Sequence, residues 1–164
     1  MNEQDFIAFD ETYFKEYEGW GEAPATVWDM GVWKDNEPCV VAQADSPYEL
    51  MDALAVHGIA HGAVLAIRGW GAPIKDPDNV ENETRPSQHP ERMRIVMYLH
   101  IQNDNGVLTV ALHPRDEELK VMSEAGVGAL ADAINEAVDS VKQKIEELQE
   151  LAADLSKEEQ GATK

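Results

Sequence analysis

Residues 92–114, RMRIVMYLHIQNDNGVLTVALHP, decide the fold. Apolar residues alternate with others on both sides of Asn105-Gly106, a pair that supplies the positive φ values of a tight hairpin turn. Ile95, Met97, Leu99 and Ile101 lie on one side of the first strand. Leu108, Val110 and Leu112 fall on that same face, because for an Asn-Gly turn the two sets have opposite parity across it. The register is self-consistent, and the segment reads as a β-hairpin. Its other face carries Arg94, Tyr98, His100, Thr109 and His113.

Upstream, AVLAIRGW at residues 63–70 is a short apolar run that reads as a mostly buried strand. ATVWDMGVW and PCVVAQA read as two further strands joined by the turn-rich KDNE, with Gly31 marking a bulge. Between them and the buried run, DSPYELMDALAVHG predicts a helix over residues 46–57. Ser46 caps it, Pro47 occupies its first turn, Glu49 closes a capping box, and Leu50, Met51 and Leu54 form its stripe. Gly58 suits the left-handed residue that ends a helix. Near the N-terminus, Phe6, Phe9, Tyr13 and Tyr17 recur at spacings of three and four, which suggests an amphipathic helix or a partly ordered arm before the turn at residues 19–24. Residues 71–90 are polar and contain Pro73, Pro77, Pro86 and Pro90, the pattern of a long surface loop.

From Val127 the period becomes helical. Ile134, Val141, Leu148 and Leu155 recur every seven residues, with Val138, Ile145 and Ala152 four after the first three. This is a heptad seam. A helix over residues 127–155 is roughly 43 Å long, more than the width of so small a domain, so its end must project or pack on another subunit. The expected fold is therefore α+β: a single domain with an antiparallel sheet of about five strands, one covering helix, and a long C-terminal helix. Residues 1–126 form the domain, and residues 127–164 the helix continuing from it and a polar tail.

Composition narrows the function classes. The 164 residues carry a net charge of −19. Residues 1–60 hold thirteen acids against Lys15 and Lys34, and residues 101–164 hold fourteen against six bases, while residues 61–100 are neutral. Binding to nucleic-acid phosphates is disfavoured, since that affinity comes from Lys and Arg displacing counterions. No apolar run approaches the ~20 residues of a membrane span, and the N-terminus has neither the basic start nor the apolar core of a signal peptide, so a cytoplasmic protein is expected. The single Cys39 allows no internal disulfide and no cysteine-based zinc cage.

Reactive constellations are sparse. His57 and His61 have the i, i+4 spacing of a helical metal pair, but Gly58 lies between them and the acid of an H-E-x-x-H motif is missing, so helix-terminal histidines are expected and no metal. Cys39, in an apolar strand, reads as packing. GVGALAD at residues 126–132 lacks the lysine of a phosphate-binding loop and reads as a helix start. No catalytic residue and no cofactor is assigned. Arginine placement is the exception. Arg68, Arg85, Arg92 and Arg94, four of the five arginines, fall within 27 residues. Arg68 and Trp70 share one strand face, and Arg94, Tyr98, His100 and His113 share another. Should the faces coincide, these six form a mixed cationic and aromatic patch able to hold an anion or a partner's acids. The competing expectation is that the arginines pair internally with carboxylates.

The strings GWGAP, RPSQHPERMRI and GALADAI resemble an uncharacterised family of small actinobacterial proteins with a pattern G-W-x-A-P, P-S-x-H-P-x-R-x-R and G-x-L-A-x-A. The matching positions are Gly69, Trp70, Ala72 and Pro73; Pro86, Ser87, His89, Pro90, Arg92 and Arg94; and Gly128, Leu130, Ala131 and Ala133. The resemblance covers about residues 65–135 and implies no known activity.

The function expected from these features is that of a non-catalytic binding or regulatory protein. It acts through its acidic surface and a C-terminal helix whose interface is Ile134, Val138, Val141, Ile145, Leu148 and Leu155, contacting a protein partner or a second copy. One alternative is a small-molecule binder or enzyme that uses the Arg/Trp/His face, with residues 71–90 as a lid. Another is an acidic mimic of nucleic acid that binds a basic protein.

Overall fold

The hairpin forms in the expected register. Strand β4 (Met93–Gln102) pairs antiparallel with β5 (Val107–Pro114), Met97 opposite Leu112, Leu99 opposite Val110 and Ile101 opposite Leu108. The computed structural model describes residues 1–31, 37–72, 88–102, 107–122 and 129–162. The Asn105-Gly106 turn, most of the KDNE turn and residues 73–87 of the expected loop lie outside the described residues.

Around the hairpin, an antiparallel sheet is built from β1 (Ala25–Asp29), β2 (Cys39–Ala44), β3 (Ala63–Gly71), β4, β5 and β6 (Lys120–Val121), in the order β2-β1-β3-β4-β5-β6. The sixth strand exceeds the expected five because a two-residue strand leaves no periodicity to read. The bulge expected at Gly31 sits elsewhere: pairing slips between Val27 and Trp28, leaving Val41 of β2 as the extra residue. Gly31 lies beyond β1, where its N–H donates to Asp29 Oδ1 at 2.8 Å.

Helix α2 (Met51–His61) follows a 3₁₀ turn at Pro47–Leu50, whose Tyr48 N–H donates to the Ser46 hydroxyl. It does not stop at Gly58. Ile101 packs so close there that a Cβ on residue 58 would sit 3.0 Å from Ile101 Cγ2, so this glycine serves helix–sheet approach and not termination. Gly62, at φ 86°, is the residue that ends the helix. Leu54 and Ala55 of α2 join Ile134, Ala137 and Val138 of α3 (Ala129–Ala162) over the sheet face made by Val27, Leu65, Leu99 and Ile101.

Helix α1 (Glu3–Glu16) covers the opposite face. Asn2 and Asp5 form a reciprocal capping box at its start. Phe6, Phe9 and Tyr13 are buried against Trp28, Val64, Ala66, Val96 and Tyr98. The partly ordered arm among the expectations is thus a third layer, held by ring contacts of 5.3 Å from Phe9 to both Trp28 and Tyr98. The fold is a single α+β domain with helices on both faces of its sheet.

The 34 residues of α3 span about 51 Å at 1.5 Å per residue. Its first turns belong to the core: Ala131, Ile134, Ala137 and Val138 are buried and Val141 half-buried. Beyond them the same stripe faces solvent, with Ile145 37%, Leu148 65%, Leu151 55% and Leu155 53% exposed. Among the described residues no helix is long and apolar enough to cross a membrane.

Candidate functional site

The two strand faces carrying the arginines and aromatics coincide. Trp70 pairs directly with Arg94, Arg68 with Val96, Ala66 with Tyr98 and Val64 with His100, and Val96 in turn with His113. Arg68, Trp70, Arg94, Tyr98, His100 and His113 therefore share one surface of the sheet. They do not form one open patch, because α1 lies across it.

Under α1 the polar groups are engaged with the helix. The Tyr98 hydroxyl donates to Asp10 Oδ1, and His113 Nδ1 lies 2.9 Å from the same oxygen. Burial pushes the Tyr98 phenol well above its ordinary pKa, and the Asp10 carboxylate adds to the shift, so Tyr98 stays a neutral donor. Trp20 and Phe14 close over His113, with ring centroids 5.0 and 5.7 Å away.

Arg68 holds the carboxyl end of α1. Its Nε donates to the Tyr13 hydroxyl at 3.0 Å, Nη1 to the Gly21 carbonyl at 2.9 Å, and Nη2 to the Tyr17 carbonyl. A guanidinium placed there satisfies carbonyls that a helix end leaves unpaired and lies at the negative end of the helix dipole. Arg68 is engaged internally, but not with the carboxylates expected: its hydrogen-bond partners are carbonyls and a phenol.

His100 is 5% exposed, beneath the start of α1. Burial, and secondarily the Met1 ammonium 3.4 Å from its Nδ1, lower its pKa to about 4, with Asp5 acting against the shift. It lines a cleft of about 450 Å³ together with Met1, Phe9 and Met30.

At the far end of the face, beyond α1, Arg94 and Trp70 remain accessible and half-buried, joined by Arg92. The guanidinium carbon of Arg94 lies 3.9 Å from the Trp70 ring centroid and that of Arg92 4.9 Å. Among the described residues no carboxylate lies within ion-pair distance of either arginine.

His57 and His61 are not loosely placed at a helix end. Both turn their Nδ1 toward Oδ2 of Asp29, at 2.7 and 3.0 Å, and Asp29 is fully buried at the end of β1. The carboxylate fastens α2 to the sheet. Among the described residues no cluster of three or more His, Cys, Asp or Glu side chains could hold a metal ion.

Asp10 and Asp29 were absent from the candidates read in the sequence. For Asp10 a signal existed: it stands four residues after Phe6 and three before Tyr13, an acid on the apolar stripe of a helix. Asp29 sits in a short apolar run with no comparable pattern. Compared with known proteins, the chain matches no family model, no curated protein and no solved structure at a significant level.

Proposed function

We propose that this protein is a non-catalytic binding or regulatory protein whose exposed half of α3 pairs with the α3 of a second copy. The observation that carries this is the continuity of one apolar stripe: Ile134 and Val138 are buried on the sheet, while Ile145, Leu148 and Leu155, in the same heptad positions further along, are exposed. Such a stripe on a surface helix is a docking face.

Charge placement favours a second copy as the occupant. With Ile145 at position a and Leu148 and Leu155 at d, the flanking e and g positions from residue 142 to 156 are Lys142, Lys144, Gln149, Leu151 and Ser156, with no acid among them. Glu146, Glu147, Glu150 and Asp154 fall on the outer positions. In a chain of net charge −19, the seam is the strip that keeps acids away from a like-charged partner. A β-branched residue at a with leucine at d suits a parallel pair of strands.

Four seam residues from each chain, already about half covered, gain roughly 1 kcal/mol each on full burial. That gross gain of about 8 kcal/mol competes with an association cost of about 4–15 kcal/mol, so the pairing is weak and depends on concentration. The polar groups of the Arg/Trp/His face support binding over chemistry as the main role, since Arg68, Tyr98 and His113 are engaged in holding α1.

A disulfide test reports the pairing directly. Ala152→Cys, in a Cys39→Ser background, places a thiol at an a position, where parallel helices bring Cα atoms within disulfide reach. Rapid, quantitative cross-linking under mild oxidation is expected; cross-linking no faster than that of a cysteine on the outer face, such as Ala153→Cys, would contradict the proposal.

A further inference from the structure

Trp70 and Arg94 are direct cross-strand partners on β3 and β4, with the guanidinium carbon 3.9 Å from the ring centroid. At that distance the guanidinium lies flat on the indole face, because an N–H pointed into the ring would hold the carbon further off. Flat stacking directs the N–H edge away from the ring. Arg92 brings a second guanidinium to the same indole. Arg115 is tied beside them, its backbone N–H donating to the Arg94 carbonyl at 2.9 Å. These three arginines, with Trp20 and Asp116, line a cleft of about 540 Å³. A second cleft of about 590 Å³ shares Trp70 and Arg94 and reaches Arg68 and the carboxylates of Glu22 and Asp45.

Three guanidiniums against the carboxylate of Asp116, itself only 4.0 Å from Arg115 and highly exposed, leave a local charge of about +2 in a chain of net charge −19. An acidic protein has carboxylates in excess to neutralise its arginines, yet Arg92 and Arg94 are stacked on tryptophan. Stacking fixes the Arg94 fork and leaves its donors for an oxyanion, while Arg92, further from the ring, gives one Nη1–H to the His89 carbonyl at 3.4 Å and keeps its other donors. We propose that this cleft binds a small phosphorylated ligand, its phosphoryl oxygens taken by Arg92, Arg94 and Arg115.

A dianionic phosphoryl group matches the local charge better than a single carboxylate does. The rest of the protein selects for small size. At physiological ionic strength charges are screened over about 8 Å, so a small anion experiences the arginines, whereas a nucleic-acid strand would run onto the acidic surface around them. The site uses no residue of α3, so it stands or falls separately from the pairing of that helix.

Calorimetric titration of the full chain with inorganic pyrophosphate at low salt, with sodium chloride of matched ionic strength as control, tests the site. Saturable binding of pyrophosphate is expected, weakened at least tenfold by Arg92→Gln and by Arg94→Gln. Arg92→Lys, which keeps the charge without the fork, is expected to recover only part of the loss. Arg92 is exposed, so its replacement leaves folding intact, and circular dichroism checks Arg94→Gln. No saturable heat at millimolar pyrophosphate, an equal response to chloride, or titrations unchanged in both glutamine variants would overturn the proposal.

Discussion

The hydroxyl of Tyr98, in the middle of β4, donates to the carboxylate of Asp10 on α1, 88 residues earlier in the chain. That bond, with His113 on the same oxygen, makes the polar face of the hairpin the floor beneath a helix. It adds to the burial of Phe6, Phe9 and Tyr13 in holding α1, since a buried hydrogen bond to a charged group contributes about 1.5–3 kcal/mol.

Asp10→Ala should therefore lower the unfolding free energy by about 2–3 kcal/mol, because it leaves the buried Tyr98 hydroxyl without an acceptor. Urea denaturation gives the number. Amide exchange gives the location: protection should fall first in α1, and a uniform loss across the sheet would mean that α1 does not open separately.

Arg68→Gln should fray the end of α1 while leaving its start docked, since the guanidinium reaches Tyr13, Tyr17 and Gly21 and nothing at the amino end. The expected signature is accelerated exchange in the last turn of α1 and the loop after it, with a stability loss of about 1–2 kcal/mol. Unchanged exchange in that turn would contradict the capping role.

His100 predicts a pH dependence with a definite sign. Its folded pKa of about 4 lies below the usual 6.5, so the unfolded chain binds the proton more readily between those values. Stability contributed by neutral His100 is present near pH 7 and lost as pH falls toward 4, by up to about 3 kcal/mol. His100→Gln should flatten that part of the profile. An NMR titration of the ring that placed its pKa near 6.5 would contradict the burial argument.

Asp29→Ala should cost about 2–4 kcal/mol, because His57, His61 and the Gly31 N–H all lose one carboxylate. Thermal unfolding measures it. Double variants with His57→Ala should be strongly non-additive, as expected for groups bonded to the same atom pair.

What the sequence disclosed and what it hid follow from the range of the interactions involved. The hairpin register, the contiguous apolar run at residues 63–70 and the helical period of α3 are local patterns, and they appear in the fold as β4 with β5, β3 and α3. Gly58 was legible as a special position but not in its role, since the reason for it is Ile101, 43 residues away. Parity gave the shared face of Arg68 and Trp70 and that of Arg94 and Tyr98, but that the two faces coincide follows from the β3–β4 register, which parity within a strand does not fix. Whether that surface stayed open depended on α1, whose docking runs through Asp10 and Arg68, contacts that no periodicity encodes.

Sedimentation velocity over a range of concentrations, at low salt and at about 0.5 M salt, tests the proposed pairing of α3 most directly. A reversible dimer is expected that strengthens with salt, as repulsion between two chains of charge −19 is screened, and that disappears in Leu148→Glu/Leu155→Glu while the domain stays folded. A species that remains monomeric throughout, or a dimer that persists in the double variant, would contradict it.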